Sequence, residues 1–151
     1  MAVYKSLRKE AAVAFIAETA KLRVDTLRIL KKFPTSYRYL ITNNMMTMIN
    51  DAYANVLKGN SLFVSDAMLE DDFKLRHRYI TIAKCDVEAL RGEISFLYDM
   101  MDSGENCLGT QAERNKKFQN WSDQATKVIN LLKGVLNSDK DRWLKYGKQL
   151  N

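Results

Sequence analysis

The single proline of this chain, Pro34, constrains the fold more than any other residue. It lies between two long helical patterns, in the segment formed by residues 31–40. Proline cannot continue a helix, and it biases the preceding residue away from helical backbone angles. We therefore expect helix one to end near Phe33, and Thr35 or Ser36 to cap helix two. A connection this short predicts that the two helices are antiparallel neighbours.

Apolar residues recur at helical spacing along most of the chain. This pattern predicts helices over residues 6–32, 36–58, 66–102 and 111–137. Residues 138–151 are expected to form a short tail, of which 140–151 could be a short turn of helix. No segment alternates as a strand does, and the connections are short. We therefore predict an all-α fold, an antiparallel up-down-up-down four-helix bundle, in a single domain of 151 residues.

Each predicted helix has an apolar stripe that we expect to face the core. The first stripe contains Val13, Ile16, Ala20, Val24, Leu27 and Leu30. The second contains Tyr39, Met46, Ile49, Tyr53 and Val56. The third, which is the most regular, contains Leu69, Phe73, Arg76, Ile80, Ala83, Val87, Leu90, Ile94, Leu97 and Met101. The fourth contains Phe118, Trp121, Ala125, Val128 and Leu132.

The ends of the helices are marked by turn and capping residues. Gly59 and Asn60 predict a left-handed stop after helix two. Thr110 and Glu113 have the spacing of a capping box, which opens helix four. The run of residues 137–139, Asn-Ser-Asp, is expected to close that helix.

Arg76 replaces an apolar residue in the third stripe. A buried arginine needs a partner, so Arg76 would pair with an acid on a facing helix, specify register or reach a subunit interface. The alternative, which we favour from the sequence, is that the stripe frays near its start and Arg76 extends to water.

Positive charge is concentrated at the two ends of the sequence. The chain has 24 Lys and Arg against 18 Asp and Glu, a net charge of +6. Residues 1–40 hold nine cations and three anions, and residues 104–151 hold nine and five. Helices one and four are neighbours in an up-down bundle, so their cations predict one basic face, which suits a nucleic acid.

We predict that this face binds nucleic acid through phosphate contacts, with RNA favoured over DNA. Tyr37 and Tyr39 offer possible stacking surfaces for bases. The alternative is that Lys31 and Lys32 only complement the dipole of helix one while Tyr39 packs in the core. The predicted nucleic-acid-binding residues are Lys21, Arg28, Lys31, Lys32, Arg38, Arg114, Lys116, Lys117 and Lys127.

The sequence lacks the residue patterns of an enzyme, a metal site or a membrane protein. Cys85, Cys107 and the single histidine, His77, do not have the spacing of a zinc site, so we expect no cofactor and two free thiols. No run reaches the roughly 20 apolar residues of a membrane span, and residues 1–6 lack the apolar region that is typical of a signal peptide. We expect a non-enzymatic, cytoplasmic protein.

The Pro34 junction also resembles a known family. Lys32, Phe33 and Pro34, followed by Tyr39 and Leu40, are similar to the junction of bacterial four-helix-bundle proteins. That family includes the 23S rRNA intervening-sequence proteins and the Avd-type accessory proteins of diversity-generating retroelements. The order and lengths of the predicted helices agree with the family from residue 6 to 136.

The resemblance is greater to the Avd-type members, and it implies a basic homo-oligomer, a pentamer, that binds nucleic acid and a reverse transcriptase. The chain also departs from the family. Intervening-sequence proteins have arginines where this sequence has residues 43–46, Asn-Asn-Met-Met. The Gly-Trp pair near the end of Avd helix four is missing. The alternative to nucleic-acid binding is a homo-oligomeric scaffold whose basic face meets an acidic protein.

Overall fold

The computed structural model describes the backbone of residues 2–149 and the side chains of residues 13–149. It contains four long helices, α1 (Ala2–Leu30), α2 (Asn43–Asn60), α3 (Glu70–Met100) and α4 (Gln111–Lys145). Residues 2–149 include no strand. Each helix packs against the next, and α4 packs back against α1. The predicted all-α, four-helix arrangement is therefore confirmed.

Contacts between α3 and α4 run in opposite residue order. Arg76, near the start of α3, contacts Asp139 near the end of α4. At the other end of the pair, the hydroxyl of Tyr98 donates to Asn115 Oδ1 at 2.6 Å. Antiparallel neighbours produce this order. The up-down-up-down order of the complete bundle stays a prediction.

The stripes predicted for helices three and four are buried. In α3 and at its end, every member of the stripe is buried except Leu69, which is 69% exposed and precedes the helix. All five members of the α4 stripe are buried as well. A strict repeat of three and four residues keeps one face of a helix turned toward its neighbours. The period alone was sufficient to locate these two core faces.

The stripe predicted for helix one is correct only in part. Leu30 is buried and Ile16 and Leu27 pack against the core, but the buried face is rotated from the predicted one. Val13 and Val24 are 47% and 45% exposed. Two threonines lie in the core instead, because each hydroxyl has a partner there. Thr19 donates to the carbonyl of Phe15 at 2.6 Å, and Thr26 accepts from the Trp121 indole N–H at 2.9 Å. The buried face consists of Phe15, Thr19, Leu22, Thr26 and Leu30.

The Pro34 junction is longer than predicted. A 3₁₀ turn, Thr35–Tyr37, and a π-helical turn, Arg38–Thr42, precede α2. Pro34 occupies the cap position of the 3₁₀ turn, and neither Thr35 nor Ser36 caps a helix as predicted. Tyr39 is 88% exposed, so the prediction that it faces the core is wrong.

Gly59 allows close packing between helices and does not form a turn. It lies inside α2 with a helical backbone, and the positive φ angles of residues 2–149 occur at Gly109 and Gly147. The predicted left-handed stop is therefore wrong. A Cβ atom on Gly59 would lie 2.6 Å from Cδ1 of Ile80, which is too close. The missing side chain lets the end of α2 approach α3.

The predicted end of helix four is also wrong. The helix continues through residues 137–139 to Lys145, and the expected tail is helical over 138–145. Asp139 and Trp143 are each 1% exposed, so both are held by tertiary contacts. The Trp143 ring stacks on Phe73, with ring centroids 4.3 Å apart. Residues 150 and 151 of the expected tail lie outside the described part of the chain.

The start of helix four agrees with the sequence prediction. The Glu113 N–H donates to Thr110 Oγ1, and the Thr110 N–H donates to Glu113 Oε1, both at 3.2 Å. The capping box is confirmed. The two hydrogen bonds with Thr110, backbone and side chain, lower the pKa of the Glu113 carboxyl.

None of the described helices combines the length and apolarity that crossing a membrane requires.

Candidate nucleic-acid interface

Five predicted cations lie on α1 and the junction, and all five are exposed. Within residues 13–149, none of them forms a salt bridge. Lys21 and Arg28 share a stripe of α1, because a step of seven residues returns to one face of a helix. Lys31, Lys32 and Arg38 lie beyond the end of α1, on either side of Pro34 in the sequence. The five are Lys21, Arg28, Lys31, Lys32 and Arg38.

Arg114 is placed differently. Only 4% of its surface is exposed, and its Nη2 donates to the carbonyl of Asp102 at 3.3 Å and to that of Glu105. Arg114 thus holds the loop between α3 and α4. Because its guanidinium is enclosed and already donates to the backbone, we leave Arg114 out of the candidate interface.

Lys117 and Lys127 also have protein partners. Lys117 is half-buried, and its Nζ donates to the carbonyl of Leu108 at 3.0 Å. Lys127 pairs with Glu18 of α1 at 3.2 Å, with 60% of the lysine side chain exposed. These contacts reduce the charge that the two lysines offer to a phosphate.

Lys116 is exposed, and helical spacing relates it to Lys127, which contacts Glu18 of α1. It precedes Lys127 by eleven residues, about three helical turns, so the two share a face. The Glu18–Lys127 ion pair and the Thr26–Trp121 hydrogen bond fix α4 against α1 in opposite order. This register places Lys116 beside the end of α1. Of the four predicted cations on α4, Lys116 is the one that best extends the α1 stripe.

The two tyrosines of the junction have opposite environments. Tyr37 is buried against Phe33, with ring centroids 5.4 Å apart, and its hydroxyl donates to Glu105 Oε1 at 3.2 Å. Burial and this hydrogen bond raise the pKa of Tyr37. Tyr39 projects from the π-helical turn and is 88% exposed, beside the exposed Leu40. Tyr39 is therefore available for stacking and Tyr37 is not.

Arg76 is buried and paired, so the favoured prediction that it extends to water is wrong. The alternative, that Arg76 pairs with an acid on a facing helix, is confirmed. Its Nε and Nη2 donate to the two carboxylate oxygens of Asp139 at 2.7 and 3.2 Å. Its Nη1 donates to the carbonyls of Gly59 and Leu62 at 3.0 and 2.9 Å. One guanidinium thus ties the end of α2 to α3 and α4.

The partner of Arg76 had a signal in the sequence that we did not use. Leu136, Asp139 and Trp143 continue the α4 stripe at spacings of three and four. An acid at such a position matches a cation at the equivalent position of a facing helix. Extending the period through Asp139 predicts both the pair and the true length of the helix.

The environment of Cys107 does not activate its thiol. Cys85 and Cys107 are free, as predicted. Burial, reinforced by the nearby Glu105, raises the pKa of Cys107, which disfavours the reactive thiolate. Among residues 13–149, no three His, Cys, Asp or Glu side chains come together as metal ligands.

No family model, curated protein or solved structure matches this chain. The resemblance to the Avd-type and intervening-sequence proteins therefore stays a prediction based on the Pro34 junction and the order of the helices.

Proposed function

We propose that the protein binds nucleic acid through sequence-independent phosphate contacts. The binding residues form what we call the basic surface, which consists of Lys21, Arg28, Lys31, Lys32, Arg38 and Lys116. One observation carries the proposal: the five of these that lie on α1 and the junction are exposed and unpaired among the described side chains. No described ion pair has to break before these five meet a phosphate.

Helix capping accounts for only part of this charge. A helix dipole attracts cations within its last turn, and Arg28 and Lys31 lie close to the end of α1. Lys21 lies more than two turns earlier, and Arg38 follows Pro34 in a separate turn. The helix dipole therefore does not explain the positive charge at Lys21 or at Arg38. A polyanion that runs along α1 and past the junction contacts all of them.

Tyr39 favours an unpaired strand as the partner. Its ring is exposed and lies next to Arg38 in the sequence. Base stacking on an aromatic ring is worth about 1 to 3 kcal/mol per base, and it requires a base that is not enclosed in a duplex. Single-stranded RNA is therefore the ligand that we expect to bind best.

The test is the salt dependence of RNA affinity, measured by fluorescence anisotropy. Replacing Arg28, Lys31, Lys32 and Arg38 with Gln should lower the slope of log affinity against log salt by about 0.7 per lost contact. The control changes to Gln three exposed lysines that belong to neither proposed site, and the loss of slope is compared per residue changed. These are Lys58, Lys133 and Lys145.

Two results contradict the proposal. Equal losses of slope per residue changed in both variants would show that net charge matters and the basic surface does not. If the unchanged protein does not bind RNA at low salt, about 50 mM, nucleic-acid binding is wrong. A stable complex with an acidic protein under those conditions would instead support the scaffold alternative.

From the family resemblance we also propose that the protein is a homo-oligomer, a pentamer, that accompanies a reverse transcriptase. Light scattering coupled to size-exclusion chromatography measures the oligomer directly, and a monomer would contradict this part. A reverse transcriptase encoded beside the gene for this chain is the partner to test. Failure of that enzyme to co-purify with the protein would remove the accessory role and leave RNA binding untouched.

A further inference from the structure

A second candidate site lies at the opposite end of the bundle from Pro34. The first turns of α3, the last turns of α4 and Gln149 line a cavity of about 440 Å³ that is open to solvent. That volume is within the range of small-molecule sites, about 300 to 1,000 Å³. The cavity shares no residue with the basic surface. Its lining includes Phe73, Lys74, His77, Arg78, Lys140 and Trp143.

The floor of the cavity is apolar and fixed. Phe73 and Trp143 stack within 11° of parallel and belong to a small separate core that includes Val64 and Met68. The indole N–H of Trp143 donates to the carbonyl of Gln149 at 3.1 Å. Phe73 and Trp143 are 5% and 1% exposed, and the Lys148 ammonium lies 4.9 Å from the centre of the Trp143 ring. The rings therefore form a rigid base that presents little of its surface to a ligand.

The buried Arg76–Asp139 pair sets the register of the cavity walls. His77 follows Arg76 on α3, and Lys140 follows Asp139 on α4. Because the two carboxylate hydrogen bonds lock α3 to α4 at this level, His77 and Lys140 are brought to one cavity. The arrangement does not depend on a flexible loop.

The charges around the cavity favour an anion. Lys74, Arg78 and Lys140 carry positive charge, and Glu70, the acid in the lining, pairs with Lys74 at 3.1 Å. His77 is half-buried between them.

Burial and, next, the charge of Lys140 lower the pKa of His77, while Asp139 opposes them. Glu70, Lys74 and Arg78 are the charged groups that α3 adds to the lining. An anion among these groups would stabilise the imidazolium and raise that pKa again.

We propose that this cavity binds a phosphate monoester with an apolar or aromatic body, such as a nucleotide. The phosphate meets Lys140, Arg78 and His77, and the body lies against the Phe73–Trp143 floor. Such a phosphate occurs both on free nucleotides and at the 5′ end of RNA. The site is independent of the basic surface, so either proposal can fail alone.

His77 is the chain's single histidine, which makes it an unambiguous NMR probe. We expect AMP to shift the His77 ring signals saturably, with a dissociation constant below about 1 mM, and to raise the pH midpoint of their titration. Adenosine, which lacks the phosphate, should produce no saturable shift. An Arg78→Gln, Lys140→Gln variant should bind AMP at least about tenfold more weakly.

Two controls separate this site from general charge and from the basic surface. Lys58→Gln with Lys133→Gln removes the same charge elsewhere, and the Lys31→Gln, Lys32→Gln variant alters the basic surface. Both should bind AMP as the unchanged protein does. The thermal unfolding midpoint of each variant shows that it is folded. Titration with a short RNA, with and without a 5′ phosphate, then identifies the source of the phosphate.

Several results would overturn the proposal. They are an absence of saturation at millimolar AMP, an equal response to adenosine, and undiminished binding in the folded Arg78→Gln, Lys140→Gln variant. Equal binding of RNA with a 5′ hydroxyl at this cavity would also overturn it. A preference for AMP and a preference for 5′-phosphorylated RNA would both support the phosphate site. Which of the two is found identifies the molecule that supplies the phosphate.

Discussion

Two arginines near Pro34 and one at the other end of the bundle have opposite environments. At the end near Pro34, Arg28 and Arg38 are exposed and form no salt bridge among the described side chains. At the other end, Arg76 is 6% exposed and makes four hydrogen bonds to a carboxylate and two carbonyls. The charge of a residue alone therefore does not show whether it stabilises the fold or is free to bind a ligand. Partners within the fold decide whether a cation is structural or free for a ligand.

Arg114 sharpens this comparison because it lies near the Pro34 end and yet is structural. It is buried, and it donates to the carbonyls of Asp102 and Glu105. Position along the bundle therefore does not separate the two classes of cation. Burial and hydrogen bonding do.

Removal of the carboxylate at the Arg76 end should have the largest effect. Asp139→Ala leaves the Arg76 guanidinium buried without its counter-charge, and we expect a loss of about 3 to 5 kcal/mol in the free energy of unfolding. Urea denaturation measures this loss. Asp141→Ala, an exposed acid two residues later, is the matched control and should change stability by less than about 0.5 kcal/mol. Equal effects would show that the buried pair is unimportant.

A methyl group at the end of α2 should have the next largest effect. Gly59→Ala places a Cβ against Ile80 and should cost about 1 to 3 kcal/mol of unfolding free energy, in thermal or urea denaturation. At Gly92 in α3, a Cβ meets nothing within 4 Å. The Gly92→Ala control should therefore stabilise the protein, by about 0.5 to 1 kcal/mol. A stabilised Gly59→Ala protein would refute the close approach of α2 to α3.

Loss of the capping box near the Pro34 end should be milder. Thr110→Ala removes the acceptor for the Glu113 N–H, and we expect a loss of about 1 kcal/mol in urea denaturation. Thr110→Ser keeps the hydroxyl and should retain most of the stability. If Ser and Ala destabilise equally, the hydroxyl does not cap α4 in solution.

The smallest stability change should come from the free cations. Lys31→Gln with Lys32→Gln breaks no described ion pair, so the free energy of unfolding should change by less than about 0.5 kcal/mol. The same variant should lower the salt slope of RNA binding. A clear destabilisation would show that these lysines stabilise the fold, as Arg76 does, and are not free cations.

Sequence periodicity predicted α3 and α4 well and α1 poorly, for a physical reason. The core positions of α3 are apolar apart from Arg76, so hydrophobicity traces the face directly. In α1 the core contains Thr19 and Thr26, whose hydroxyls are satisfied by Phe15 and Trp121. A hydrophobic stripe does not show which polar side chains will find partners, so the predicted face was rotated.

The candidate interface was predictable only in part. Spacing on one helix placed Lys21 and Arg28 on a common stripe, because that relation is local, whereas Lys32 lies beyond the end of α1. The burial of Arg114 and the pairing of Lys127 with Glu18 depend on the packing of distant segments. The cavity around His77 likewise depends on a contact between residues 63 positions apart, Arg76 and Asp139.

Local sequence patterns were enough to predict the number and class of the helices, the faces of α3 and α4, the capping box and the break at Pro34. These features follow from local backbone preferences and from periodicity along a single helix. Only the tertiary structure decided which cations are buried, which glycine permits close packing and which tyrosine is exposed. These outcomes depend on whether a distant segment supplies a hydrogen-bond partner or occupies the space, which no local pattern encodes.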